Sequence, residues 1–112
     1  MEIRIVYMTA GNVDEASRIA KALVQQRLAA CVNIIDGMRS VYEWKGTLQE
    51  EREVVMIAKT HADCFPDLVE VVKGMHSYDC PCIVGLDVSG GNDAFLAWIT
   101  TQVGPESIKN DE

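Results

Sequence analysis

The segment HSYDCPCIVGL, from His76 to Leu86, holds the side chains of this sequence best suited to chemistry. It places one histidine and two of the four cysteines, Cys80 and Cys82, around a proline. Imidazole and thiolate are borderline or soft ligands, which suit Cu(I) and Zn(II). In an extended chain the two cysteine side chains point the same way, about 6.5–7 Å apart, so both thiolates could share one metal ion. Asp79 offers a further ligand.

Two other interpretations of this segment stay open. It can be only a helix end, a proline-restricted turn and the start of a buried strand. Redox chemistry is the third interpretation, although a disulfide between cysteines one residue apart is strained. The cysteines, at positions 31, 64, 80 and 82, match no CxxC…CxxC zinc pattern, and we expect them to be reduced.

Composition and charge exclude several classes of protein. The 112 residues suit one domain over 1–112, in which 103–112 form a loose polar tail. The formal net charge of -7 repels phosphate backbones, so we expect no nucleic-acid partner. No apolar run approaches the ~20 residues of a membrane span, and MEIRIVYM lacks a signal-peptide layout. These features predict a cytoplasmic protein without membrane association.

Apolar periodicity predicts a strand and then a helix at the start of the chain. Alternation over residues 2–10 is typical of a strand. Asn12 and Glu15 fit a capping box, in which the asparagine accepts from a backbone amide and the glutamate reaches back. The apolar residues that follow at helical spacing predict a helix over 13–27.

The middle of the chain predicts three strand segments. The β-branched run LAACVNII predicts a buried strand over 28–35, which Asp36-Gly37 breaks. Residues 38–46 and the return over 48–60 then form a long hairpin that turns at Lys45-Gly46. The acidic run EEREV on the return strand is expected to be a solvated hairpin tip.

The last third of the chain predicts a second helix, a last strand and a short C-terminal helix. Asp63 is placed to cap a helix whose first turn holds Pro66. A strand follows over 82–88, and Asn92 caps a short C-terminal helix. The order β-α-β-β-α-β predicts the ferredoxin-like arrangement of the α+β class, with a long β-hairpin and a short terminal helix.

One helix layer cannot cover both faces of the predicted sheet. Two right-handed crossovers place both helices on one face. The strands carry apolar residues on both pleats, and the hairpin carries Tyr42 and Trp44 beyond the length that a small sheet needs. We therefore expect a homo-oligomer that buries the bare face and the hairpin between subunits.

A crevice between those subunits is a second candidate site. A lysine at a strand end beside aromatic rings can hold an anion. In the alternative interpretation the aromatic residues only bury the hairpin, and the lysine pairs with a nearby glutamate. The predicted lining residues are Lys59, Tyr42, Trp44 and Tyr78.

Six short stretches in a fixed order, over roughly residues 3–101, carry a family resemblance. They are LAACVNII, VYEWKG, QEEREV, MIAKT, H-x-Y before the final strand, and FLAWI. In this order they resemble the CutA family, the divalent cation tolerance proteins. The resemblance implies a homotrimer with inward-facing sheets and hairpins that reach neighbouring subunits. It also implies an association with copper and other divalent cations.

The sequence departs from the family pattern at the segment that carries the chemistry. The family commonly has H-P-Y-x-x-P-E, whereas this chain has Ser77 in place of the first proline and Cys82 in place of the glutamate. The C-T-x-P-like turn after the first strand is also replaced, by MTAG. Cys31 corresponds directly to a family position, although a buried structural thiol is the alternative for it. The candidate metal ligands are therefore His76, Cys80, Cys82 and Cys31.

The sequence carries no enzyme constellation, since it has neither a P-loop nor an HExxH motif. We predict a non-enzymatic homotrimer that binds copper or another divalent cation, uses no organic cofactor and contributes to metal tolerance. The alternative is a PII-like regulatory or scaffolding trimer that binds a small anion or a partner protein, which is an analogy of fold. A small hydrolase or thiol enzyme is a weaker third hypothesis.

Overall fold

Four strands and three helices build residues 2–104, the part of the chain that the computed structural model describes. The strands form one antiparallel sheet in the order β2-β3-β1-β4. This is the predicted ferredoxin-like α+β arrangement, with its long hairpin and its short terminal helix. The elements are β1 (Ile3–Ala10), α1 (Val13–Gln25), β2 (Cys31–Trp44), β3 (Thr47–His61), α2 (Phe65–Met75), β4 (Ile83–Asp87) and α3 (Asp93–Gln102).

Three of the predicted local signals are confirmed. The Asn12 side chain accepts a hydrogen bond from the Glu15 amide at 2.8 Å and caps α1. The Asn92 side chain does the same for α3 from the Ala94 amide at 3.0 Å. Lys45 and Gly46 turn the hairpin with φ values of 50° and 78°, as a two-residue turn with positive φ requires.

The prediction that Asp36-Gly37 breaks the second strand is wrong. β2 continues through both residues because β3 offers a continuous partner, and the pairing shifts between Ile35 and Met38 as a bulge. Gly37 has φ 87°, a conformation that glycine adopts without steric cost. The bulge also brings Asp36 within 3.1 Å of Arg52.

Two element starts also differ from the prediction. β2 begins at Cys31 instead of residue 28, because the amides of Leu28 and Ala29 donate to the Leu23 carbonyl and close α1. The second helix is not capped by Asp63, which lies in a 3-10 turn before α2. The cap of that turn is His61, whose Nδ1 accepts from the Asp63 amide at 3.0 Å.

The main core lies between the sheet and the helices α1 and α2. Phe65 packs across β4 so closely that a Cβ on Gly85 would lie 2.7 Å from its ring. A smaller cluster joins α3 to Ile3, and Val103 belongs to it. Residues 105–112, the rest of the predicted tail, lie outside the described residues. The main core includes Val6, Met8, Ile19, Leu23, Val54, Met56, Ala58, Leu68 and Val72.

The strand residues that alternate with the core point to the opposite face of the sheet. This open sheet face is apolar, and Leu86 on the edge strand is 52% exposed. Neighbouring strands align its members in rows, with Leu86 beside Ile5 and Val84 beside Tyr7. The expected second apolar face is therefore present. We define the open sheet face by Ile5, Tyr7, Ile35, Ile57, Val84 and Leu86.

Candidate functional site

The loop 76–82 joins α2 to β4, and His76 anchors its first residues. The Nε2 atom of His76 lies 2.7 Å from the Thr9 carbonyl oxygen and must donate, because that oxygen only accepts. Its Nδ1 accepts from the Tyr78 amide at 3.0 Å. The side chain is 1% exposed. Both ring nitrogens are thus engaged within the chain.

A buried carboxylate from α1 reaches the same loop. The Glu15 Oε2 atom lies 3.4 Å from His76 Nδ1 and accepts from the Ser77 amide at 3.5 Å. The Glu15 side chain is 6% exposed. The prediction that Glu15 reaches back to complete the capping box is therefore wrong, because its carboxylate instead contacts the loop after α2.

Glu53 on β3 connects the loop to the hairpin. Its Oε2 accepts from the Tyr78 hydroxyl at 3.0 Å, and its Oε1 accepts from the Ser40 hydroxyl at 2.5 Å. The tyrosine ring also packs on His76, with 4.7 Å between ring centroids. Glu53 is half-buried as a result, so the prediction that this acidic run is solvated is wrong for it.

Burial and the Glu53 carboxylate raise the pKa values of two neighbouring groups, the Tyr78 hydroxyl and the Cys82 thiol. Burial first, and then the hydrogen bond to Glu53 and its charge, raise the pKa of Tyr78 to about 12. Burial, followed by the charge of Glu53, also raises the pKa of the Cys82 thiol. A metal ion that binds Cys82 must therefore displace a proton.

We expect the stability of the protein to fall at alkaline pH because of Tyr78. A raised pKa favours the neutral phenol in the folded state, so its contribution is full below pH 10.0 and is lost as the pH rises through about 12. Partial exposure of the ring limits this loss to about 1 kcal/mol. Urea unfolding from pH 9 to 12 should show a steeper decline for wild type than for Tyr78→Phe. Parallel curves would contradict the assignment.

The two loop cysteines are free thiols, with Cys80 exposed and Cys82 half-buried. Within residues 2–104, no three side chains of His, Cys, Asp or Glu are placed to hold one metal ion. His76 could ligate only by giving up one of its hydrogen bonds. A coordination sphere of three or more of these ligands therefore needs residues from beyond the described part of the single chain.

Cys31 and Lys59 lie at the opposite corner of the open sheet face. They are cross-strand partners on β2 and β3, whereas the loop precedes β4. Three strand spacings, about 14 Å, separate β2 from β4, so Cys31 does not approach the loop of its own chain. The Lys59 ammonium donates to the Asn33 side-chain oxygen. Within residues 2–104 it makes no ion pair with a glutamate, the pairing of the alternative interpretation.

The hairpin residues of the predicted crevice stand away from Lys59. Tyr42 pairs with Gln49 on β3, ten residues before Lys59. Lost hydration and then the charge of the Glu51 carboxylate raise the pKa of Tyr42. Trp44 is 62% exposed, and the Lys45 ammonium lies 5.9 Å from its ring centroid. Tyr78 contacts Glu53, which lies six residues, about 20 Å, from Lys59 along β3. The crevice residues are therefore not brought together within one chain.

The sequence patterns predicted other roles for two residues of this network, a helix cap for Glu15 and a solvated position for Glu53, although the sequence carries signals for the contacts of both. Glu15 lies four residues before Ile19, so it shares the apolar side of α1. Glu53 continues the alternation of Val55 and Ile57 along β3 and therefore faces the open side of the sheet. A charged residue in an apolar periodicity indicates a buried polar contact.

Comparison with known proteins decides the family. A family model described as CutA1 divalent ion tolerance protein matches residues 4–102. This chain belongs to the CutA1 family. The divalent-cation tolerance protein CutA of Thermus thermophilus is 43% identical over 89% of this chain and 97% of that protein. The chloroplastic protein CutA of Arabidopsis thaliana is 41% identical over 85% of this chain, which spans only 52% of the plant protein.

Solved CutA1 structures confirm the fold. The Thermus thermophilus structure superposes with a TM-score of 0.88 at 42% identity, over 91% of this chain and 99% of that one. The Oryza sativa structure gives 0.91 at 36% identity, over 94% and 96% of the chains. The family resemblance inferred from the sequence is thus confirmed. Names of CutA1 relatives include chloroplastic and periplasmic forms, so membership does not fix a compartment. None of the helices within residues 2–104 is long and apolar enough to span a membrane.

Proposed function

We propose that this CutA1 chain is a cytosolic homotrimer that binds copper or other soft or divalent metal ions and contributes to metal tolerance. Membership of a family described by divalent ion tolerance is the observation that carries this proposal. The protein acts by binding, not by catalysis, and uses no organic cofactor. Its partners are metal ions and its own copies, and neither nucleic acid nor a membrane is among them.

The open sheet face supports the homotrimer. It presents a contiguous apolar surface on the side of the sheet away from α1 and α2. Large exposed apolar patches mark sites of protein association. The hairpin adds Val41, Trp44 and Leu48, which are 62%, 62% and 73% exposed in the single chain. Covering both surfaces requires further copies of the chain on more than one side.

The thiols of the loop 76–82 support the metal site. Cys80 and Cys82 are free, accessible in part, and chemically suited to Cu(I). We propose these two as the principal ligands. His76 and Cys31 complete the proposed set, the histidine by exchanging a hydrogen bond for the metal and Cys31 from another copy.

Competition with a chelator tests the metal site directly. We expect the reduced wild type to bind Cu(I) at least about tenfold more tightly than Cys80→Ser/Cys82→Ser, because a serine hydroxyl is a poor ligand for a soft ion. Cys64→Ser, at a buried thiol next to α2, is the matched control and should bind like wild type. Equal affinities of wild type and the double variant would remove Cys80 and Cys82 from the site.

One observation favours the PII-like alternative, in which the trimer binds a small anion. Lys59 is a half-buried cation that forms no ion pair with a carboxylate within residues 2–104. Phosphate binding that Lys59→Met abolishes would support this alternative. Metal binding lost in the cysteine variant supports the leading proposal.

A further inference from the structure

We propose that Lys59 of one copy pairs with Glu53 of the next copy across the open sheet faces, which sets how the copies are arranged. The inference rests on the homotrimer proposed above and adds to it a specific contact. Both residues belong to β3, where the even-numbered side chains of Val54, Met56 and Ala58 pack in the core. Odd-numbered side chains such as Lys59 and Glu53 therefore point to the open sheet face. They lie about 20 Å apart in one chain, at opposite ends of the apolar surface.

Lys59 has no counter-charge among the described residues. Its ammonium donates to the neutral Asn33 side chain and makes no ion pair among the described residues. Its cross-strand neighbours on this face are Ile5 and Cys31. Covering such a lysine with an apolar surface is costly unless an anion comes with that surface.

Glu53 likewise has no counter-charge in the part of the chain that the structure describes. It accepts from two neutral hydroxyls, those of Tyr78 and Ser40, and none of the cations within residues 2–104 pairs with it. Two hydroxyl donors fix the carboxylate in place without neutralising it. The charge is therefore oriented and available to a cation that approaches with a second copy.

These two opposite charges lie at opposite ends of the open sheet face. In a closed ring each copy presents one end of its face to one neighbour and the opposite end to the other neighbour. Such packing joins Lys59 to Glu53 at every interface and buries the apolar rows between them. It also carries Cys31, the cross-strand partner of Lys59, toward the neighbour's loop with Cys80 and Cys82. The proposed ligand set would then be completed between copies.

A double-mutant cycle on the assembly constant tests the contact. The variants are Lys59→Met, Glu53→Gln and both together, measured by sedimentation equilibrium over a dilution series. We expect each single change to weaken assembly at least about tenfold. The double variant should be little weaker than either single one, because each change removes the same ion pair. Direct coupling within one chain is excluded by the separation of about 20 Å.

Glu70→Gln is the matched control, since Glu70 lies on α2 and pairs with Lys73. Its effect should simply add to that of Lys59→Met. If wild type assembles but the Lys59 and Glu53 effects are also additive, the ion pair is wrong and the homotrimer stands. If wild type is a monomer at every concentration, the homotrimer and the ion pair both fail.

Discussion

Replacing Leu86 by glutamate should convert the proposed trimer into folded monomers. Leu86 is 52% exposed in the single chain and lies on the edge strand of the open sheet face, the surface that assembly would bury. A carboxylate there loses its hydration at the interface without gaining a partner, so we expect assembly to weaken at least about 100-fold. Light scattering coupled to gel filtration measures the mass of the species, and circular dichroism reports whether the monomer stays folded.

Val24→Glu is the matched control for this change. Val24 is 41% exposed on α1, on the other side of the sheet, so the same substitution there meets a comparable solvent environment. It should leave the mass of the assembly unchanged and alter monomer stability by less than about 0.5 kcal/mol. A trimer that survives Leu86→Glu would mean that the open sheet face is not the subunit interface.

Replacing His76 by leucine should cause the largest loss of stability among single changes in the loop. The substitution leaves the Thr9 carbonyl and the Tyr78 amide without their partner and removes the group that faces the buried Glu15 carboxylate. Unsatisfied buried polar groups cost about 1–3 kcal/mol each, so we expect a total loss of about 3 kcal/mol. Urea unfolding at one fixed chain concentration measures this loss.

The other histidine of the sequence provides the comparison. His61 is less buried and makes one backbone contact, the cap on the Asp63 amide. Losing such a cap costs about 1 kcal/mol, so His61→Leu should be clearly milder than His76→Leu. Equal effects would contradict the role of His76 as the anchor of the loop. A stable His76→Leu protein that loses Cu(I) binding would identify it as a ligand instead.

The fold could be predicted from the sequence because local and long-range signals agree. Asn12 and Asn92 mark helix starts, Lys45-Gly46 marks the hairpin, and the apolar periods separate strands from helices. The bulge at Asp36-Gly37 could not be predicted, because its residues are equally typical of a strand end. Only the continuous partner strand β3 decides between the two outcomes.

The candidate site was less predictable for a physical reason. His76, Cys80 and Cys82 share one loop because they are close in sequence, but within residues 2–104 no three such side chains are placed to hold one metal ion. The contacts of Glu15 and Glu53 with that loop join residues about 60 and 25 positions apart, and short-range patterns carry no such information. Contacts between copies of the chain cannot be predicted from periodicity either, because periodicity describes only neighbouring residues of one chain.

Native mass spectrometry of the reduced protein, with and without Cu(I), tests the central claim most directly. One spectrum reports the number of chains and the number of bound metal ions together. We expect a three-chain species that takes up a whole number of Cu(I) ions per chain and loses them in Cys80→Ser/Cys82→Ser. A single-chain species, or a three-chain species that takes up no Cu(I), would contradict the proposed metal-binding homotrimer.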